Sequence, residues 1–313
     1  MEIVIGISAC LNGHLVRFDG GHKRSAFVSD TLPSFVRLRP FCPEMAAGFG
    51  SPRPSMRLQG DATAPRVFLK SNGGEDITER MHATCARLAP DAADLCGFVL
   101  CANSPTCGME RVRVYDASNV PAKTGVGVFA KRLMQDYPWL PLEEDGRLND
   151  PHLRENFMMR VYALAYWREL MAAGVSGRAL VQFHSRYKLI LMAHAPLLYR
   201  ELGRFVANPQ GRDWNELGQH YLHAFMQGTR KIATRGRHAN VLAHIQGYFR
   251  RHLESEDRQE LAAVIQDYRC GRVPLLAPLA LLRHYLRRFP DPYLQQQAYF
   301  EPYPADLRLR HSL

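Results

Sequence analysis

The chain has 313 residues, of which 46% are hydrophobic and 22% are charged. This composition is typical of globular proteins and excludes an intrinsically disordered chain. No stretch approaches the roughly 18 consecutive apolar residues of a membrane-spanning helix. The first seven residues resemble a β-strand rather than a secretory signal, because no basic segment precedes the apolar run. We therefore expect a cytoplasmic protein without membrane association.

The basic residues are concentrated in the second half of the chain. Residues 1–150 contain 17 basic and 17 acidic residues, whereas residues 151–313 contain 23 basic and 13 acidic residues. The net charge of +10 therefore belongs to the second half. Such asymmetry favours a polyanionic partner such as a nucleic acid. An arginine-rich helical domain without such a partner explains the charge equally well.

The first half alternates short apolar runs with helical patterns. We predict strands at residues 3–7, 35–40, 97–101 and 111–115, the last of them at a sheet edge. We predict helices at residues 77–88 and 127–137. Strands separated by helices indicate an α/β domain with a mostly parallel, Rossmann-like sheet. Residues 138–151, which are rich in proline and then acidic, predict a linker.

The second half has hydrophobic residues at helical spacing. We predict helices at residues 152–173, 177–194, 196–207, 214–231, 237–253, 256–270 and 277–288. Residues 290–304 are rich in proline, tyrosine and glutamine and predict an extended arm across the surface. The predicted architecture is therefore an α/β domain at residues 1–145, followed by an all-α domain at residues 146–313.

Three of the seven cysteines come after predicted strands, namely Cys10, Cys42 and Cys107. Loops at the carboxyl ends of parallel strands converge on one crevice, so these thiols can meet in space. Three thiolates can hold a four-iron cluster in which one iron lacks a protein ligand. Ordinary buried cysteines remain an alternative, and a structural zinc site is disfavoured because Cys-x-x-Cys pairs are absent. We interpret Cys101 as a wall of the pocket rather than a ligand.

At these positions the sequence resembles the TudS-type desulfidase family over about residues 1–150. The resemblance rests on Ser-Ala-Cys-Leu at 8–11 with Arg-Phe-Asp-Gly at 17–20, on Cys-Pro-Glu at 42–44, and on Ser-Pro-Thr-Cys-Gly at 104–108. Phe18 and Thr106 stand where the family commonly has Tyr and Ser. Residues 152–313 resemble the helical domain of the RudS-type tRNA 4-thiouridine desulfidases, most clearly at residues 183–194.

The resemblance implies a 4Fe-4S cluster on Cys10, Cys42 and Cys107, with one open iron near Glu44 and Ser104. It implies that 4-thiouridine in tRNA becomes uridine through Lewis-acid activation of the thiocarbonyl sulfur and addition of water. Glu44 is then the candidate proton carrier, and Ser104 would orient the water or the base. We expect neither a nicotinamide nor a flavin cofactor, since the reaction is not a redox reaction.

Several alternatives stay open at this point. Glu44 could simply cap a helix, and Ser104 could simply begin a turn. The enzyme could act on free thiouracil instead of tRNA, or the protein could be a non-enzymatic RNA-binding iron–sulfur sensor. Arg53 and Arg57 could contact a phosphate or ribose, although a solvated loop explains them as well.

Candidate tRNA contacts lie in the basic second half, because cations that meet the phosphate backbone supply most of the affinity. Arg186 and Lys188 flank Tyr187, whose ring could stack on a base. The densest basic cluster contains Arg230, Lys231, Arg235 and Arg237.

Overall fold

The first half of the chain forms two four-stranded sheets in a computed structural model that describes residues 2–70, 74–208 and 213–310. The strands are β1 (Val4–Ser8), β2 (Arg37–Phe41), β3 (Met56–Gln59), β4 (Arg66–Leu69), β5 (Gly97–Leu100), β6 (Val112–Tyr115), β7 (Pro121–Gly125) and β8 (Leu142–Glu144). The α-helices of this half are α1 (Pro43–Ala46), α2 (Thr78–Leu88) and α3 (Val128–Asp136). The chain divides into two compact units, Met1–Asp150 and Pro151–Leu313.

The first sheet is parallel, with strand order β2-β1-β5-β8. Strands β1 and β5 are buried along their whole length, as expected from their continuous apolar runs. Gly6 of β1 lies against the Phe98 ring of β5, where a Cβ atom would come within 2.3 Å of that ring. Because the strands run in the same direction, the loops that follow them lie at one edge of the sheet.

The second sheet has strand order β4-β3-β6-β7. Strands β3 and β6 pair in parallel, while the β3–β4 and β6–β7 pairs are antiparallel. Of these strands the sequence predicts only β6, as an edge strand. That placement is wrong, because β6 pairs with β3 on one side and with β7 on the other.

Strand β8 lies where the sequence predicts a linker, at residues 138–151. The linker prediction is wrong for these residues, because β8 pairs in register with β5. Its acidic side chains are buried because they have partners. Glu143 accepts a hydrogen bond from Arg147 at 2.7 Å, and Glu144 accepts one from the backbone N–H of Met109 at 2.7 Å. The acidic run is thus part of the core of the first unit.

The described residues of the second unit form helices and no strand. The α-helices are α4 (Pro151–Leu170), α5 (Gly177–His194), α6 (Pro196–Ala207), α7 (Trp214–Gly228), α8 (Arg235–Tyr248), α9 (Ser255–Arg269), α10 (Leu276–Arg288) and α11 (Pro292–Gln295). The predicted fold class, an α/β domain with a mostly parallel sheet followed by a helical domain, is confirmed. Within the described part of the chain, no helix is long and apolar enough to cross a membrane.

Residues 290–304 do not form the predicted arm across the surface. The short helix α11 begins after Asp291, whose carboxylate accepts the backbone N–H of Leu294 at 2.8 Å. Leu294, Tyr299 and Phe300 are buried. The prediction is wrong because these apolar and aromatic side chains pack into the core of the second unit, despite the turn-forming composition around them.

Candidate active site

Cys10, Cys42 and Cys107 lie in loops at the same edge of the first sheet. Cys10 is in a 3-10 turn directly after β1, Cys42 directly follows β2, and Cys107 is in the loop after β5. Since β2, β1 and β5 are parallel neighbours, the loops that follow them meet. All three cysteines line one cavity of about 510 Å³.

Cys101, at the end of β5, lines the same cavity. Its thiol is in hydrogen-bond contact with the thiol of Cys10. This hydrogen bond raises the pKa of Cys10 and lowers the pKa of Cys101, and the nearby Lys23 ammonium also lowers the pKa of Cys101. Cys101 is thus a fourth sulfur atom at the site, in contact with a proposed cluster ligand.

Burial raises the pKa of Cys42, and it raises the pKa of Cys107 well above the ordinary value. Thiols buried together favour their neutral forms unless a positive charge balances the thiolates. A metal centre supplies such a charge and removes the protons when it binds. The chemistry of this set of donors therefore suits a metal-containing group.

Among the described residues, no group of three or more His, Cys, Asp or Glu side chains is arranged to hold a single metal ion. A zinc–thiolate bond is only about 2.3 Å long, so the thiolates on one ion lie very close together. An iron–sulfur cluster distributes its thiolates over several irons, which allows them wider spacing. Thiols that line one cavity, as these do, are the donor type that such a cluster uses.

Glu44, in the first turn of α1, also lines the cavity, and both of its carboxylate oxygens accept hydrogen bonds. Oε2 accepts from the guanidinium of Arg53, and Oε1 accepts from the hydroxyl of Thr106 at 2.8 Å. Arg53 is itself buried and also donates to the backbone carbonyls of Val16, at 3.0 Å, and Gly50, at 2.6 Å. The carboxylate of Glu44 is therefore held in one orientation.

Ser104 lines the cavity and shapes the loop that contains Cys107. Its hydroxyl oxygen accepts the backbone N–H groups of Thr106, at 3.2 Å, and Cys107, at 3.0 Å. The turn-forming interpretation of Ser104 is therefore correct. A hydroxyl has one proton to donate besides its two lone pairs, so Ser104 can still donate a hydrogen bond into the cavity.

Lys23 and Asp145 support the site, although no sequence motif indicates them. Lys23 Nζ lies 2.9 Å from Asp145 Oδ2, and Asp145 also accepts the backbone N–H of Ala102 at 2.8 Å. These contacts fix the beginning of the loop that leads to Cys107. Lys23 and Asp145 are 122 positions apart in the sequence, so no local pattern could have connected them.

In the second unit, Arg186, Lys188 and Tyr187 are engaged within the fold. The guanidinium of Arg186 lies 4.8 Å from the ring centroid of Tyr166, and Lys188 Nζ lies 4.5 Å from that of Tyr293. Tyr187 is only 2% exposed. The expectation that its ring stacks on a base is therefore wrong, because the ring packs into the core.

The other predicted tRNA contacts lie between α7 and the first turn of α8, where Arg230, Lys231, Arg235 and Arg237 are exposed. Arg237 donates to the backbone carbonyl of His194 at 2.8 Å. Arg235 packs against Gly271. Arg230 and Lys231 are therefore the members of this cluster best placed to meet a ligand.

The two units match two different protein families. Residues 5–145 match the 2-thiouracil desulfurase family, and residues 188–304 match DUF1722, a family of unknown function. The first unit is thus similar to a 2-thiouracil desulfurase domain, and the second unit is similar to DUF1722 over residues 188–304.

The chain is 41% identical over 169 residues to the uncharacterized protein YbgA of Escherichia coli (strain K12), which is 53% of this chain and 98% of YbgA. The chain therefore belongs to the YbgA family. It is 29% identical over 139 residues to the uncharacterized protein YbbK of Bacillus subtilis (strain 168), covering 42% of this chain and 90% of YbbK. Among solved structures, the 4Fe-4S-dependent thiouracil desulfidase TudS is 28% identical, covering 48% of this chain and 95% of TudS with a TM-score of 0.39.

Proposed function

We propose that this protein is a cytoplasmic desulfidase that converts 4-thiouridine in tRNA to uridine with the help of a 4Fe-4S cluster. The observation that supports this proposal best is the convergence of Cys10, Cys42 and Cys107 on one cavity of a 2-thiouracil desulfurase domain. These three residues would hold the cluster and leave one iron without a protein ligand. The buried thiols fit such a group because it would balance their charge.

When bound, the cluster would supply a Lewis acid for which the soft thiocarbonyl sulfur is a good ligand. Glu44 accepts a proton from the water that attacks C4 of the base. Its contacts with Arg53 and Thr106 orient the carboxylate before the substrate arrives. Ser104 donates its remaining hydroxyl proton to the water or to the base and so orients it.

The proposed reaction balances without an oxidant or a reductant. Water supplies the oxygen atom, a C–O bond forms at C4, and the C–S bond breaks. The sulfur leaves as hydrogen sulfide with the two protons of the water, one of which passes through Glu44. No electrons are exchanged, so neither a nicotinamide nor a flavin is needed.

The charge of the second unit supports tRNA as the substrate. Residues 151–313 have ten more basic than acidic residues, and Arg230 and Lys231 are exposed. Replacing both residues by Gln should make the negative slope of log affinity for tRNA against log salt shallower by about 1.4, which is about 0.7 for each cation. Arg250→Gln with Arg251→Gln, which removes the same charge from this unit, is the matched control. An unchanged slope in the first double variant would show that tRNA binds elsewhere.

Free thiouracil is a second candidate substrate. The description of the matching family favours it, and all residues that line the cavity belong to the first unit. The full-length protein can be offered free 4-thiouracil and tRNA at equal thiobase concentration. A preference for tRNA supports the main proposal, whereas a preference for the free base supports this second candidate.

The central test is performed without oxygen on protein loaded with iron and sulfide. Bulk tRNA should lose 4-thiouridine and gain uridine, as measured by nucleoside chromatography, with one sulfide released per base. Unchanged nucleosides, in a protein that contains four irons, would refute the proposal and favour a sensor. Cys10→Ala, Cys42→Ala and Cys107→Ala should each lose iron and activity, whereas Cys85→Ala, a buried thiol of α2, should keep both.

A further inference from the structure

One wall of the cavity belongs to the second sheet and is basic. Leu58 of β3 and Val114 of β6 are buried, so their neighbours Arg57 and Arg113 point to the opposite face. Lys70 directly follows β4. Arg57, Lys70 and Arg113 all line the same cavity as the cysteines.

No carboxylate of the described residues pairs with these three cations. Within the described ranges, none of the ion pairs involves Arg57, Lys70 or Arg113. The other cations of the cavity are neutralised, for example Lys23 by Asp145 and Arg53 by Glu44. The unneutralised positive charge of the cavity therefore lies on the residues of the second sheet.

Arg57 and Lys70 lie close to the same aromatic ring. The guanidinium carbon of Arg57 is 5.5 Å from the ring centroid of Tyr115, and Lys70 Nζ is 5.6 Å from it. The ring attracts each cation, but the two cations repel each other. An anion between them would remove that repulsion.

The guanidinium of Arg57 also has unused hydrogen-bonding capacity. Among the described residues, its Nη1 donates to Asn119 Oδ1 at 2.6 Å. A guanidinium has five N–H donors, so Arg57 has further N–H groups to offer an acceptor in the cavity. A phosphate oxygen is the acceptor that best suits the planar fork of a guanidinium.

We infer that Arg57, Lys70 and Arg113 bind the phosphates that flank the thiolated nucleotide of an RNA strand. This inference rests on the proposed function, because it requires the base to lie at the thiols while its ribose and phosphates lie at the basic wall. A cavity of about 510 Å³ is in the range of sites for ligands larger than one base. The desulfurase domain itself then distinguishes a nucleotide within RNA from a free base, which has no phosphate to offer.

The test compares two sulfur-free ligands on the full-length protein loaded with its cluster. Calorimetry gives the affinity for uridine 3′,5′-bisphosphate and for uridine, and the ratio of the two is the phosphate preference. The wild type should prefer the bisphosphate by about tenfold or more at low salt, since charge-assisted hydrogen bonds are strong. The double variant Arg57→Gln with Lys70→Gln should bring the ratio close to one, and Arg57→Lys should keep part of it.

Arg37→Gln is the matched control, because Arg37 is an exposed residue of the other sheet that does not line the cavity. This variant should keep the wild-type ratio. A wild type without phosphate preference, or a double variant that keeps it, would overturn the inference. Because neither ligand contains sulfur, this result does not depend on turnover. Sulfide release from 4-thiouridine, measured separately, tests the proposed function.

Discussion

Glu44 accepts a hydrogen bond from the hydroxyl of Thr106, 62 positions further along the chain, at 2.8 Å. Its other carboxylate oxygen accepts from Arg53. The residue proposed to move the proton is therefore oriented by two side chains from two different loops. One of these side chains, Thr106, is fully buried.

Glu44→Gln should lower kcat by about 10²- to 10⁴-fold, the usual contribution of an acid–base group. Iron and sulfide content should stay at the wild-type level, because no cluster ligand changes. Nucleoside chromatography and metal analysis of the same preparation measure both. Thr106→Ser should keep most of the activity because it keeps the hydroxyl, whereas Thr106→Val should lose part of it. A fully active Glu44→Gln would assign the proton transfer to another group.

Arg53→Met should destabilise the protein by about 3 kcal/mol or more, because it leaves a partly buried carboxylate without its partner. The shift of the urea unfolding midpoint, followed by circular dichroism, measures this loss. Arg24→Gln is the matched control, since Arg24 pairs with Asp30 on the surface. Exposed pairs contribute less than about 1 kcal/mol. Equal shifts in the two variants would show that the contacts of Arg53 contribute little.

Cys101→Ala should retain four irons per chain, unlike Cys10→Ala, because only three cysteines are proposed as ligands. The reduction potential of the cluster should nevertheless change, since Cys101 is in hydrogen-bond contact with Cys10 and such contacts to ligand sulfur tune a cluster. Iron analysis and anaerobic voltammetry measure the two quantities. Loss of iron in this variant would instead identify Cys101 as a fourth ligand.

The second unit should lose stability in acid. Burial lowers the pKa of His238 to about 3, and the neighbouring His194 and Arg310 also disfavour its protonation. The unfolded chain takes up a proton near pH 6.5, whereas the folded chain resists until about pH 3. Between these values the unfolded state binds more protons. Stability therefore decreases as the pH is lowered from about 6.5 to about 3, by at most about 1.4 kcal/mol per pH unit for this residue.

His238→Gln should make this acid loss shallower, since Gln does not titrate and can still meet the Tyr299 hydroxyl, which lies 2.8 Å from His238 Nδ1. Thermal unfolding between pH 3 and 8 measures the slope. His223→Gln, an exposed residue of α7, is the control and should follow the wild type. An identical slope in all three proteins would contradict the assignment to His238.

The sequence predicts the central strands and the helices because their hydrophobic periodicity is strong. Strands β1 and β5 are continuous apolar runs, and they place Cys10 and the Cys107 loop. Strands β3 and β4 of the second sheet escape prediction because each has only four residues, with charged residues such as Arg57 and Arg66 among them. Their partners come from elsewhere in the chain, so no local pattern shows that they are strands.

The site residues are likewise predictable only where a local sequence pattern marks them. Cys10, Cys42 and Cys107 are recognisable because each follows a strand or belongs to a short motif. Thr106, Lys23 and the uncompensated Arg57 have roles that depend on contacts between distant segments, and their types alone do not indicate those roles. The burial of Tyr187 likewise depends on the packing of several helices.

Strand β8 sets a lower limit on the size of any autonomous fragment that retains the thiol cavity. A fragment ending before Leu142 would lack Glu144 and Asp145, which accept the backbone N–H groups of Met109 and Ala102. The segment bearing Cys107 would then lose its anchors at both ends. Truncated versions of the protein made for spectroscopy should therefore extend beyond Asp145.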